Sequence, residues 1–202
     1  GLGQALAESL GAAGAAVVCA ATRAGGSAST VDAIRAMGRD SWEVIGDLSR
    51  REGALAVADA AEDAAGAVDI LVNNAGTIRR AAAADHPWDD WDLVLRTNLD
   101  APFVLAQRLG RRMIEHGGGK IINMASLLSF SGGMTVPGYT ASKHGIAGLT
   151  KALANEWARH NVQVNAIAPG YMSTDITRAL REDPERLAEI TGRIPSGRWG
   201  EP

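Results

Sequence analysis

The 202-residue chain has a single cysteine, Cys19, which excludes an internal disulfide framework and fits a reducing compartment. Cys19 lies in an apolar run, where a cysteine reads as a small core residue rather than a reactive thiol. Positive charge is not in excess. Twenty Lys and Arg stand against 23 Asp and Glu, for a net charge of −3 and a pI near 5.8, which argues against a nucleic-acid-binding surface. No apolar run approaches the roughly 20 residues that span a bilayer, and no signal peptide is recognisable. The histidines, His86, His116, His144 and His160, lack metal-ligand spacing and are expected at the surface or at helix ends. What is present, 46% hydrophobic and 21% charged residues, suffices for one sizeable core in a single domain over 1–202. A cytoplasmic location is the corresponding expectation.

Apolar runs and turn signals alternate along the chain. Gly1, Leu2 and Gly3 open an amphipathic helix that leads into a strand over 15–21, which is βαβ order. A helix N-terminus attracts phosphate through its free amides, and glycines permit close approach. A glycine-rich loop (24–30), a helix (30–37), a short strand ending in VIGDLS (44–49) and a helix (52–65) follow. Next come a buried strand (68–72) ending in NNAG (73–76), a long helix (88–112), a strand within 120–126, the helix containing Tyr139 and a strand from 162. Asp47 suits the N-cap of the helix after it. Periodicity alone gives a βα-repeat protein with a parallel sheet. Both ends read as cut, so a fragment is expected.

The chemistry concentrates between Ser126 and Lys143. Tyr139 and Lys143 lie four apart, which places them on one face of a helix. A phenol with an ordinary pKa of about 10 is a poor acid or base at neutral pH. A neighbouring ammonium is expected to lower that value, and a Ser hydroxyl can hold a substrate oxygen beside the phenol. Such a trio suits carbonyl–alcohol interconversion. Small residues around the pair, Ala141, Gly145 and Gly148 among them, let a flat ligand approach.

These motifs, in the order glycine loop, Asp47-Leu48, NNAG, Ser126 and Tyr139-x-x-x-Lys143, resemble the short-chain dehydrogenase/reductase family. The resemblance implies a doubly wound, Rossmann-type α/β fold with a parallel sheet, truncated at both ends. The first strand and one loop glycine of the family pattern are missing from this sequence, as are C-terminal elements. It also implies NAD or NADP as cofactor. Ser126, Tyr139 and Lys143 match the family's catalytic residues, and Asn98 resembles its fourth, which positions the lysine through a water. By the same resemblance Gly1, Leu2 and Gly3 meet the cofactor phosphates, and Asp47 with Leu48 meets the adenine. Asn74, Ala75 and Gly76 lie along the cofactor, while Tyr139 and Lys143 contact its ribose. Pro169, Gly170 and Met172 flank the nicotinamide, with Thr174 near its carboxamide or a phosphate. After the strand over 15–21 an acid would bind the ribose 2′-hydroxyl of NAD, and an Arg the 2′-phosphate of NADP. Arg23 stands there without an acid, a slight lean to NADP.

Arg79 and Arg80 follow NNAGTI at the mouth of the inferred pocket, and an Arg fork suits a carboxylate. With Ser126 and Tyr139 they form the expected substrate site; two solvated arginines are the alternative. The segments NNAGTIRR, VPGYTASKHG, ANEWARHNVQVNAIAPGYM and RIPSGRWGEP resemble a family subgroup acting on keto-deoxy sugar acids. Reduction of 3-oxoacyl thioesters, oxidation of gluconate and a non-catalytic binding fragment are the alternatives. A small-molecule substrate and, by family resemblance, a homotetramer are expected, with neither nucleic acid nor membrane as partner. Trp88 and Trp91 are expected to be packing residues rather than a ligand platform, and Trp157 and Trp199 to pack in the core or at a subunit contact.

Overall fold

The computed structural model describes the backbone of residues 1–202 and every side chain except that of Ile176. Five parallel strands alternate with helices: α1 (Leu2–Ala12), β1 (Val17–Ala21), α2 (Ala28–Ala36), β2 (Ser41–Ile45), α3 (Arg51–Ala65) and β3 (Ile70–Asn73). The second half runs α4 (Trp88–Leu95), α5 (Ala101–Glu115), β4 (Gly119–Met124), α6 (Pro137–Trp157), β5 (Val162–Ile167), α7 (Arg178–Arg181) and α8 (Pro184–Arg193). No helix among the described residues is long and apolar enough to cross a membrane.

The strands do not form one continuous sheet. β1 pairs only with β2, and β3–β4–β5 make a second sheet, all pairs being parallel. The βα order dictates this parallelism, because a strand that returns through a helix re-enters in the same direction. In register, Asn73 lies opposite Asn123, and Asn123 opposite Ala166.

Helical spacing builds the layers around the sheets. α5 turns Leu105, Leu109 and Met113 inward at four-residue steps, and α3 meets it with Ala54, Val57, Ala58 and Ala61. α6 packs beside α5 in a shared cluster with Ile121, Val162 and Val164 of the strands, and its buried stripe of Lys143, Ile146, Thr150, Leu153 and Trp157 holds two polar residues. Trp157 reaches the core, as expected, because Gly110 of α5 leaves room: a Cβ there would stand 2.7 Å from the indole ring. Arg108 of α5 bridges Asp59 at 2.9 Å and Glu62 at 2.7 Å on α3.

Three local expectations change. The predicted helix over 88–112 is not uniform, since residues Arg96–Asp100 form a π-helical turn between α4 and α5. Asp47 does not cap α3, whose N-cap is Arg50; its carboxylate accepts from the amide of Ser49 (2.9 Å) and its hydroxyl (2.7 Å). Trp88 is 79% exposed and meets only the edge of Trp91, ring centroids 6.5 Å apart, so it is not a packing residue of this chain's core. Trp199 packs on Tyr171 at 5.3 Å between centroids.

Candidate active site

The carboxyl ends of β3 and β4 and the first two turns of α6 converge on one point. Ser126 leaves β4 in extended backbone and opens a short 3₁₀ turn over Leu127–Ser129. Its hydroxyl accepts from the amide of Leu128 at 3.1 Å. Ser129, fully in place behind it, donates to the carbonyl of Lys143 at 2.7 Å and so ties this turn to α6. Tyr139 and Lys143 share one helix face, the ammonium lying 5.5 Å from the phenol ring centroid.

The electrostatics differ from the sequence expectation. Burial pushes the Tyr139 phenol above its ordinary value, against opposing pulls from the Ser126 hydroxyl and the charge of Arg80. Lys143 does not set this balance. Its ammonium is turned to the carbonyl of Met124, 2.5 Å away, and burial brings it down to about 8. The site therefore holds a neutral phenol and an ammonium that gives up its proton more easily than in water.

Asn98 sits in the π-helical turn, 1% exposed. Its side chain accepts from the amide of Thr77 (2.8 Å) and donates to the carbonyl of Thr77 (2.9 Å) and the hydroxyl of Ser142 (3.2 Å). Ser142 in turn donates to the carbonyl of Tyr139 at 2.8 Å. Asn98 thus stitches the segment after NNAG to the catalytic helix, and its side-chain hydrogen bonds go to Thr77 and Ser142 rather than to the side chains of Tyr139 or Lys143. A parallel chain lies one layer deeper. Asn73 donates to Asn123 (2.8 Å), Asn123 to Thr150 (2.9 Å), and Thr150 to the carbonyl of Ile146 (2.7 Å). Sequence reading missed Ser129, Ser142, Asn123 and Thr150 as positioning groups. The signal was available for Thr150, which lies eleven residues, about three turns, beyond Tyr139 on the same face.

A cleft of about 640 Å³ runs from this point across the strand ends. Ser126, Tyr139 and Lys143 line it. Gly1, Leu2, Gly3, Asp47 and Leu48 line it as well, as do Asn74, Ala75 and Gly76. Pro169, Gly170, Met172 and Thr174 complete these groups. These groups fit a dinucleotide. α1 presents its N-terminus beside the cleft, and the backbone at Gly3 is so close to Asn74 that a Cβ would stand 2.5 Å from the amide nitrogen. Arg23 is not part of the lining; it is exposed in the loop after β1, where its neighbour Thr22 reaches the cleft. That loop is fixed by a residue the sequence did not single out. Glu43 of β2 accepts from the amides of Gly25 (2.7 Å) and Ser27 (2.6 Å) and from the Ser27 hydroxyl (2.6 Å).

The two arginines separate. Arg79 lines the cleft but is engaged by Asp90 at 3.2 Å and by Thr77 and the carbonyl of Ile78. Arg80 is exposed, outside the lining, and acts on Tyr139 through its charge. Of the histidines, His116 stands at the end of α5 and His144 hydrogen-bonds the carbonyl of Thr140. The ring nitrogens of His86 are buried without a partner. Among the described residues no group of three His, Cys, Asp or Glu is placed to hold a metal.

Known proteins share this arrangement. The chain is 51% identical over 174 residues to the 2-dehydro-3-deoxy-D-gluconate 5-dehydrogenase of Escherichia coli (strain K12), covering 86% of this chain and 69% of that one. To the protein of the same name from Bacillus subtilis (strain 168) it is 47% identical over 203 residues, 100% and 78% of the two chains. A crystal structure from Agrobacterium tumefaciens with bound NADP, named for 2-deoxy-D-gluconate 3-dehydrogenase, superposes with a TM-score of 0.92 at 51% identity. It covers 100% of this chain and 79% of the other. One from Beutenbergia cavernae, named for NAD(P)-dependent gluconate 5-dehydrogenase and also holding NADP, gives 0.95 at 48% identity over 100% and 80%. The profile of the short chain dehydrogenase family matches residues 1–185, and the chain belongs to that family.

Proposed function

We propose that this short-chain dehydrogenase interconverts a secondary alcohol and a ketone on a keto-deoxy sugar acid, the activity named for its 2-dehydro-3-deoxy-D-gluconate 5-dehydrogenase relatives. The observation that carries this reading is the convergence of Ser126, Tyr139 and Lys143 in one dinucleotide-sized cleft. When bound, the nicotinamide supplies or accepts the hydride. In the reducing direction Ser126 holds the substrate oxygen, and Tyr139, kept neutral by burial, donates its proton to that oxygen as negative charge develops there. In the oxidising direction the same phenol must first lose its proton. The charge of Arg80 favours that phenolate, Lys143 would orient the cofactor ribose, and Asn98 supports the relay by holding α6.

Gly1, Leu2 and Gly3 would hold the diphosphate, Asp47 and Leu48 the adenine, and Asn74 to Gly76 the span between. Pro169, Gly170, Met172 and Thr174 would enclose the nicotinamide. The lean to NADP is supported by Arg23 and by the absence of an acid after β1; related structures hold NADP. For the substrate carboxylate we assign Arg80 rather than Arg79, because Arg79 is already ion-paired with Asp90. A homotetramer in the cytoplasm completes the proposal, on family resemblance.

Gluconate is the second reading, favoured by the relative named gluconate 5-dehydrogenase at 48% identity. The test follows nicotinamide absorbance with NADH and NADPH against a keto-deoxy sugar acid, 5-ketogluconate and an acetoacetyl thioester. Turnover with the first supports the proposal and shows which cofactor is used. Turnover with 5-ketogluconate alone moves the substrate to gluconate, and turnover with the thioester alone refutes the sugar-acid reading.

A further inference from the structure

The loop between β1 and α2 carries Arg23, and its shape is set partly from outside. Within the loop the amide of Gly26 donates to the carbonyl of Arg23 at 3.1 Å, closing a turn whose third residue, Gly25, has a φ of 75°. Left-handed backbone of this kind suits glycine. Gly26 also lies against Arg23. A Cβ there would stand 2.9 Å from the Arg23 carbonyl oxygen and 3.7 Å from its Cγ. Whatever fixes Gly25 and Ser27 on either side of Gly26 therefore fixes Arg23 as well.

Glu43 is that hold. It stands on β2, opposite Cys19 of β1, and both of its carboxylate oxygens are engaged. Oε1 accepts from the amide of Gly25, and Oε2 from the amide and the hydroxyl of Ser27. Hydrogen bonds to a carboxylate are stronger than those between neutral groups. Ser27 is the N-cap of α2, yet its hydroxyl makes no capping bond and is given to Glu43 instead. The Arg23 guanidinium, by contrast, is exposed and, among the described residues, in no ion pair. A planar guanidinium left free in this way suits a phosphate.

We infer that Glu43 is a positioning residue for cofactor selection: by clamping Gly25 and Ser27 it holds the turn 23–26 so that Arg23 meets the 2′-phosphate of NADP. Thr22, next to Arg23, lines the cleft, whereas Glu43 does not, so Glu43 acts through the loop and not by contact. Charge alone gives the opposite sign. A carboxylate near an anionic 2′-phosphate repels it, and on that ground removing the charge of Glu43 would tighten NADPH binding. A clamp predicts that the same change weakens it, because Arg23 is released. The inference rests on the NADP reading given above, in which Arg23 meets the 2′-phosphate, and it is independent of the substrate.

The test is fluorescence titration of NADPH and NADH against the parent, Arg23→Ala, Glu43→Gln, Glu43→Asp and the Arg23→Ala/Glu43→Gln double variant. Arg23→Ala is expected to raise the NADPH Kd about tenfold and Glu43→Gln about fivefold, each leaving the NADH Kd close to that of the parent. Glu43→Asp keeps the charge but shortens the reach, and its NADPH Kd should move in the same direction. In the double variant the loss of Glu43 should add nothing to the loss of Arg23. Tighter NADPH binding by Glu43→Gln, equal weakening of both cofactors, or a Glu43 effect that persists undiminished without Arg23 overturns the role of Glu43 while the Arg23 reading stands. An unchanged ratio of NADPH to NADH affinity in Arg23→Ala refutes the Arg23 reading and the inference with it.

Discussion

The β3–β4–β5 half and the β1–β2 half of the molecule are built from similar strands but held in different ways. The first is tied internally by buried side-chain hydrogen bonds: Asn98 to Thr77 and Ser142, Ser129 to Lys143, Asn73 through Asn123 to Thr150. Each joins a strand end or its following turn to α6 or its approach, so the backbone bearing Tyr139 is fixed from several directions. The second half has a small apolar cluster of Cys19, Val31 and Ile34, hydrogen bonds from Ser41 to the carbonyl of Val17 and from Arg35 to the carbonyl of Ser41, and the clamp of Glu43 on the loop 25–27. Buried polar networks specify an arrangement to the extent that their members are satisfied, and in this one only Asn73 Oδ1, among the described residues, is buried without a partner. The chemistry accordingly sits on the rigid half, and the part suited to a nucleotide sits where glycines and loops let a ligand approach.

The largest expected effect breaks the chemistry and leaves the scaffold. Tyr139→Phe should lower kcat by about 10³-fold, within the range for a positioned acid or base, with little change in NADPH Kd by fluorescence titration. Unchanged turnover would remove Tyr139 from the mechanism. The pH profile sharpens the assignment. Oxidation needs the phenolate, and burial holds the phenol above its ordinary pKa while Arg80 pulls it down. The oxidative rate should therefore rise with pH. Arg80→Ala removes the favourable charge, so its profile should move to higher pH; a shift to lower pH or none would contradict the role given to Arg80.

Next in size is the stitch itself. Asn98→Ala strips partners from the amide and carbonyl of Thr77 and from Ser142, all part-buried or buried. Leaving such groups unsatisfied costs about 1–3 kcal/mol each, and partial compensation by water brings the expected loss to about 3 kcal/mol. For a domain of this size that is roughly 6–12 °C in Tm. A Tm within a degree of the parent would show that the rigid half does not depend on this network.

How much of this was legible beforehand follows the same division. Ser126, Tyr139 and Lys143 could be read because their chemistry needs particular residue types at helix and strand spacings. The parallel βα order was equally readable from apolar runs. The sense of the Tyr139 shift was not, because it depends on how deeply α6 buries the phenol and on where the Lys143 ammonium points, which is toward Met124. The π-helical turn at Asn98 escaped because a single wide turn has no residue type of its own to mark it within a continuous helical segment. Arg79 and Arg80 looked equivalent in sequence, and only the placement of Asp90 separates them. Glu43 gave no signal, since its partners lie 16 to 18 residues away in a loop whose course is set by tertiary packing.

Glu43 provides the smallest expected effect and the test of the flexible half. Its carboxyl lies below the usual range, chiefly through the Ser27 hydroxyl and then the amides of Ser27 and Gly25. A depressed folded-state pKa means that this carboxylate's contribution is complete above the unfolded value and is lost as pH falls through the lower folded one. Glu43→Gln should thus lower Tm at neutral pH by less than Asn98→Ala does, and the difference from the parent should shrink as the solution is acidified toward pH ~3. The same variant should speed hydrogen exchange at Gly25 and Ser27 while leaving the amides of β4 and α6 unchanged. Acceleration that spreads into α6 would mean that the two halves are coupled through β1 and that the division between them is not a mechanical one.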